Sequence, residues 1–469
     1  MSENWRRSWA VLALFVVLAL IAAACGGATT ATTTTAAPSA NATTTSTTAA
    51  ATQQSGDVIK LGVLATLEGP FVEPGKDGIR GVYMALAEFG GDSEGKGAVV
   101  AGHPIEVYVE STDATAEVAR DKARKLFEED NVDIIIGPLS GDEGINLARY
   151  MQGVPDKTML NGTSAAQDTT MDPAIRSKQF FRWGTDGVQW QAGLGSYAYN
   201  EKGYRKMVTL GEDYSFPYSQ VEGFMIEFCR EGGTVAKKLW TPLGETDYSS
   251  IIAEIQGISD LDAVYVALGG NDAINFLTQM LDFGLDLPLV GGSITVDQSI
   301  LGAKAPRIRE VVIGTPAAGP IADDIQDQVY VDWVKAYQDL WEEGKDYPLT
   351  GIRFPLPSLF AHGYYVDAKA ALLALEKVDG DLSGGQEAFR EALRGLKYES
   401  PTGMVSVDKN QNAIANEYVT EVTERADGVL YNKLVKVAEQ VNQTLGEPED
   451  FFFPNGTYQG PSREYPSCP

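Results

Sequence analysis

The chain has 469 residues, enough for two or more domains, and carries 64 acidic against 37 basic side chains for a net charge of −27. That excess disfavours nucleic acid and anionic lipid surfaces, both of which are held through clustered Lys and Arg. Two histidines, His103 and His362, and three cysteines, with no C-x-x-C pair and no H-E-x-x-H, leave little to build a zinc or haem centre, so no metal and no cofactor is expected.

Residues 1–24 read as an export signal. Arg6 and Arg7 supply the positive start, and the apolar run Trp9–Ala24 is short for a spanning helix. The stretch Ala22-Ala-Ala-Cys25 permits two cleavage readings. Small residues at Ala22 and Ala24 suit ordinary signal peptidase. A cysteine directly after the junction resembles a bacterial lipoprotein box, with Ala22 where the usual Leu stands, and Cys25 would then be acylated. An exported protein would otherwise carry Cys25 as an exposed free thiol, which favours the lipid anchor on the outer face of the cytoplasmic membrane. The rest of 25–56 is mainly Thr, Ala and Ser with no charge, a tether that cannot build a core.

From Asp57 strands and helices alternate. Ile59, Leu61 and Val63 mark a first strand, and Ile79, Val82, Tyr83, Leu86 and Phe89 recur at helical spacing after it. Ile105–Glu110 is a second strand. Ala119, Ala123, Leu126 and Phe127 mark a second helix. Val132-Asp-Ile-Ile-Ile-Gly137 is a strand buried on both faces. Pro138 stops it, and Ser140 and Gly141 open a helix whose first turn holds Asp142 and Glu143. Thr158–Asn161 is a fourth strand, with Thr163, Ser164 and Ala165 beyond its end. Four such steps predict a doubly wound parallel sheet, whose ligand edge is where these loops lie.

A second series begins near Phe181. Lys206–Leu210, Thr234–Trp240, Leu261–Leu268 and Leu287–Val290 read as strands, with helices at Ser219–Glu231, Tyr248–Ile258 and Asp272–Phe283. Long helical patterns follow at Gln328–Trp341 and Leu359–Leu375, a shorter one at Gln386–Leu396, and strand-like runs at Met404–Val407 and Glu417–Val422. The tail 441–469 is aromatic and Pro-rich. With Cys25 lipidated, Cys229 and Cys468 are the two thiols left, and a disulfide between them is expected. Asp142, Glu143 and Asp272 read as helix-start charges, Trp183, Trp190 and Trp240 as core or lobe-surface residues, and Phe216 fits pocket and core equally.

The motifs carry a resemblance. Ile59-Lys-Leu-Gly-Val-Leu64 with Gly69-Pro70, Gly75 and Gly81, then Ala123-Arg-Lys-Leu126 ahead of Asn131–Ser140, stand in a characteristic order. Asp247-Tyr-Ser-Ser-Ile251, Asp262–Gly270, Val290-Gly-Gly292 and Pro401–Asp408 follow in the same order. This series resembles branched-chain amino-acid ABC-transporter substrate-binding proteins, the leucine/isoleucine/valine-binding type, across about 57–435. The resemblance implies an α/β clamshell of the type I periplasmic-binding-protein kind, with two doubly wound Rossmann-like lobes joined by a three-strand hinge. Lobe one would be 57–182 plus 316–400, and lobe two 183–315 plus 401–440. It also implies a small polar ligand, an amino acid, amide or urea-like compound, passed to a membrane permease, with the protein a monomer. Ser140, Gly141, Thr163, Ser164 and Ala165 would hold the ligand's acidic or carbonyl end, and Phe216, Gly270, Asn271 and Ser293 would face the other.

Two departures stand out. Ser293 replaces the Glu that receives the ammonium in aliphatic amino-acid binders, unless Asp213, Asp272 or Asp297 supplies that charge. Pro74 replaces an aromatic that follows the first Gly-Pro. A ligand-sensing lobe pair of a signalling system would share the fold. An enzyme is not expected, since no G-x-S-x-G elbow, P-loop or G-x-G-x-x-G is present.

Overall fold

The computed structural model describes residues 56–302 and 307–468. The export signal, Cys25 and all but the last residue of the tether lie outside them.

The first sheet contains β1 (Ile59–Thr66), β2 (Val99–Val100), β3 (His103–Thr112), β4 (Ile134–Ile136), β5 (Thr158–Leu160) and β6 (Phe180–Phe181). Their order is β2-β3-β1-β4-β5-β6, parallel except for the short β2. The apolar triplet of β4 is wholly buried because helices cover both faces. The second sheet holds β7 (Lys206–Glu212), β8 (Thr234–Thr241), β9 (Ala263–Ala267), β10 (Leu289–Gly291) and β11 (Pro316–Gly319), all parallel in the order β11-β10-β9-β7-β8.

Antiparallel strands extend the second sheet beyond β11: β12 (Lys397–Ser400), β13 (Gly403–Val407), β14 (Ala413–Glu424) and β15 (Leu430–Val441). The chain is thus two α/β lobes, as expected, but the second sheet is mixed. The strands β11 and β12 lie in the second sheet, on the far side of the boundaries expected at 315/316 and 400/401.

Helices formed after β11 return to the first lobe. Helix Leu359–Lys377 lies against helix Val72–Ala87, and Tyr364 donates to the Leu64 carbonyl at 2.6 Å. The approach depends on Gly78 and Gly81. A Cβ on Gly78 would come 2.7 Å from the Tyr364 ring, and one on Gly81 would collide with the Ala361 carbonyl. Where the chain leaves the first sheet, fully buried Arg182 donates to Asn412 Oδ1 at 2.6 Å and to the Ala166 carbonyl at 2.7 Å, and lies 3.5 Å from Asp186. These bonds tie the crossing after β6 to the strand β14.

The structure joins Cys229, on helix Ser215–Arg230, to Cys468 in the tail, with Cα atoms 5.4 Å apart.

Candidate functional site

The C-terminal ends of the two parallel sheets face each other, and small residues at each end let the lobes meet. Gly137 adopts φ +127° after β4, and Ser140 then caps helix Gly141–Met151. The Ser140 hydroxyl donates to the Ala114 carbonyl at 2.8 Å, and Glu143 Oε2 accepts from the Ser140 N–H at 2.7 Å in a capping box. A Cβ on Gly141 would fall 2.6 Å from Ser215 Oγ and 2.9 Å from Phe216, so the first turn of this helix touches the second lobe directly.

Beyond β5, the N–H groups of Gly162, Thr163 and Ser164 converge on one acceptor, the Pro138 carbonyl, at 3.1–3.2 Å. The Ser164 hydroxyl is buried without a partner. The Thr163 hydroxyl makes only a long contact of 3.5 Å to the Leu139 carbonyl. Ala165 accepts from the Gly187 N–H at 2.7 Å, beside the crossing between the lobes.

On the second lobe, Phe216 packs edge-on against Trp190 with centroids 5.3 Å apart. Ser293 accepts from Gln220 Nε2 at 2.6 Å. Gly270 begins helix Gly270–Asp282 at φ +49°, and its own Cβ position is filled by the Pro70 carbonyl of the first lobe. Hence Ser140, Gly141, Thr163, Ser164, Ala165 and Phe216 share one junction. Gly270 and Asn271 instead open on a cavity of about 720 Å³ at its rim, lined also by Pro70, Glu73 and Arg353. Ser293 borders a void of about 20 Å³ with Asp297 and Leu359, room for a single water.

Hydrogen bonds cross the junction. Asp142 Oδ1 accepts from the Ser215 N–H at 3.2 Å, Ser219 Oγ from the Gln167 N–H at 3.0 Å, and Asp297 Oδ2 from the Leu359 N–H at 2.8 Å. Around them lies a buried cluster drawn from both lobes: Phe71, Leu139, Phe360, Trp190, Tyr214 and Phe216. Pro74, expected where an aromatic would follow Gly69-Pro70, lines the cavity at the rim of the junction as well. Phe71 follows that dipeptide at once, and the single turn Gly69–Phe71 directs its ring at Gly269 of the second lobe. Trp190 and Tyr214 are the aromatic partners that sequence reasoning left out of the site. The clue to Tyr214 was its place just past the end of a buried strand.

The site is acidic. Burial pushes Glu143 up to about 7 and Asp272 and Asp297 up to about 6. Burial, with Asp272 beside it, raises Glu212 well above the usual carboxylate range.

The chain matches the family model described as periplasmic binding protein over residues 58–428. It is 24% identical over 396 residues to "Leu/Ile/Val-binding protein homolog 6" of Brucella melitensis, covering 82% of this chain and 92% of that one. Among solved structures it is similar to an ABC transporter substrate-binding protein from Sphaerobacter thermophilus. There the TM-score is 0.70 and the identity 28%, over 83% of this chain and 99% of the other. It shares the fold of a solute binding protein of an ABC transporter from Rhodopseudomonas palustris, solved with 3,4-dihydroxybenzoic acid. That match has a TM-score of 0.71 and 22% identity, over 82% of this chain and 98% of the other. These relatives are binding proteins rather than enzymes. Two facing α/β lobes, the ordered motifs and a family match over most of the described chain lead to one conclusion: the chain belongs to the periplasmic binding protein family.

Proposed function

We propose that the protein is an extracytoplasmic solute receptor that captures one small metabolite between its lobes and passes it to an ABC-transporter permease. The observation that carries this reading is the aromatic cluster shared by the two lobes at their facing sheet ends, with Phe71 and Phe360 on one side and Tyr214 and Phe216 on the other. Rigid rings on both jaws suit a solute with a flat or branched apolar body, and the polar loops around them orient its ends. The Brucella relative is named for branched-chain amino acids and the Rhodopseudomonas protein holds a dihydroxybenzoate, so both bodies belong in the first screen.

A thermal-shift screen of branched-chain amino acids, aromatic amines, amides, ureas and hydroxybenzoates tests the reading. A compound that binds only the folded protein, present at about a hundred times its Kd, adds roughly 2.7 kcal/mol of stability. Thr163→Ala should then weaken the best hit by about 1–3 kcal/mol with folding nearly unaffected, because its hydroxyl has no strong internal partner. A screen with no stabilising compound would overturn the solute-receptor reading.

The lipid anchor on Cys25 belongs to the same proposal, motivated by the charged–apolar–small signal before it and the chargeless stretch after it. Mass spectrometry of the membrane fraction should show an acylated N-terminal Cys25. An unmodified cysteine, or cleavage elsewhere, contradicts the anchor.

A further inference from the structure

We infer that the C-terminal tail, residues 442–468, is a latch that ties the two lobes together beside their crossing and limits how far they part. The latch holds whatever the solute is. Its effect on solute entry and release, which need the lobes to part, rests on the solute-receptor reading.

The tail lies wholly beyond the family match, which ends at residue 428. It starts at the crossing between the lobes. Gln443 donates to Thr170 Oγ1 of the first lobe and to Asp186 Oδ2 of the crossing, both at 2.8 Å, and its carbonyl accepts from Gln167 Nε2 at 3.0 Å. Phe452 is fully buried against Met171 of the first lobe and Val188 and Ile226 of the second. One ring thus packs on both lobes, and parting them exposes it to water.

Farther along, the tail is fixed first to one lobe and then to the other. On the first lobe, the Tyr458 hydroxyl donates to Gln167 Oε1 at 3.1 Å, and a Cβ on Gly460 would fall 2.3 Å from Asp168 Oδ1. On the second, Arg463 Nε donates to Asp213 Oδ1 at 2.6 Å, the Pro466 carbonyl accepts from Lys238 Nζ at 2.9 Å, and Cys468 is bonded to Cys229. Gln167 and Asp168 follow β5, and Asp213 follows β7, so the tail bridges the facing sheet ends themselves.

The bridge has little slack. Pro461 and Ser462 alone separate Gly460 from Arg463, a stretch that reaches roughly 10 Å when fully extended. The tail is also folded back on itself. The Gln459 N–H donates to the Phe452 carbonyl at 2.8 Å, the Ser462 N–H to the Tyr465 carbonyl at 3.1 Å, and the Tyr465 hydroxyl to the Phe451 carbonyl at 3.3 Å. Drawing the segment out would break these bonds too, so wide opening requires one end of the tail to let go.

Hydrogen exchange read by mass spectrometry, on the protein lacking only its export signal and with no solute added, tests the latch. The N–H groups of Ser215 and Leu359, bonded across the junction to Asp142 and Asp297, report opening. Peptides containing them should exchange roughly 10- to 100-fold faster when the first-lobe end is freed by Tyr458→Ala or Gly460→Val. Cys468→Ser combined with Arg463→Ala, which frees the other end, should accelerate them equally, because a latch fails when either end is loose. Peptides from β4 and β9 should keep wild-type protection in every variant. Where Tyr458→Ala and Gly460→Val misfold, Tyr458→Phe, which deletes only the bond to Gln167, supplies that arm with a smaller increase. Wild-type exchange at Leu359 in either arm would show that the tail is local packing. Acceleration shared by β4 and β9 would show that it merely stabilises the fold. Either result overturns the latch and leaves the solute receptor standing.

Discussion

Raising the pH from about 5 to about 8 is expected to lower the melting temperature of the ligand-free protein. The cause is a set of carboxyl groups whose burial outweighs the cations and hydrogen bonds around them. Glu143 is raised from its ordinary 4.5 to about 7, Asp323 to about 7, and Asp168, Asp272 and Asp297 to about 6. Burial also raises Glu212, Glu222, Asp367 and Glu417 well above the carboxylate range. Each raised carboxyl keeps a proton in the folded state that the unfolded chain has released. Between the unfolded value near 4 and the folded values of 6 to 7, the folded state therefore binds more protons, and stability falls as pH rises. For Glu143 alone the shift corresponds to about 3 kcal/mol.

His362 acts in the opposite sense. Burial lowers it to about 3, so the folded state binds fewer protons there, and stability rises with pH up to about 6.5. The carboxyls outnumber it, so among these groups stability falls from about pH 4 upward, and the whole range from pH 5 to 8 lies on the declining side. Thermal melts at pH 5, 6, 7 and 8 decide the matter. A melting temperature that is flat or rising across that range would show that these acids are compensated. Glu222→Gln, whose two carboxyl oxygens are both unpartnered in the core, should flatten the decline.

The parallel cores were readable because their strands are unbroken apolar runs. Ile134–Ile136 and Ala263–Ala267 are buried at every position, and no other element satisfies so short an apolar run ended by glycine. The strand β15 was missed for the converse reason. Its apolar residues, Leu430, Leu434, Val435, Val437 and Val441 among them, do not alternate, and several face solvent along a largely exposed edge, so they show no one-sided pattern of a half-buried strand.

At the site, the loops could be placed but their hydrogen bonds could not. The small polar residues after β4 and β5 signal a sheet edge. Yet the Ser140 hydroxyl is spent on Ala114, 26 residues away, and the Thr163 and Ser164 N–H groups on Pro138. Those commitments depend on tertiary contacts that no local pattern encodes. Glu212 is a similar case. An acid ending the apolar strand Met207–Gly211 is visible in the chain, but its bond to the Gly269 N–H, 57 residues on, emerges only in the folded second lobe.

Replacing Cys468 by Ser is expected to destabilise the protein by about 2–4 kcal/mol. The bond to Cys229 spans 239 residues, and its Cα separation of 5.4 Å lies in the ordinary range for a disulfide. Cross-linking so long a segment removes much of the freedom of the unfolded chain, which is where most of the effect arises. The tail also has anchors of its own. Gln443 donates to Thr170 and Asp186, and Phe452 is buried with Met171, Val188 and Ile226. Tyr458 donates to Gln167, and Arg463 pairs with Asp213. These contacts touch both lobes and keep the tail seated when the bond is absent, which holds the loss below the chain-entropy limit of about 5 kcal/mol. Denaturant midpoints of wild type, Cys468→Ser and the Cys229→Ser/Cys468→Ser pair give the measurement. The double variant should match the single one, because either removes the same link, and reduced wild type should approach both. Equal midpoints for oxidised wild type and Cys468→Ser, or two alkylatable thiols at Cys229 and Cys468 in the non-reduced protein, would mean that the tail is held by its packing alone.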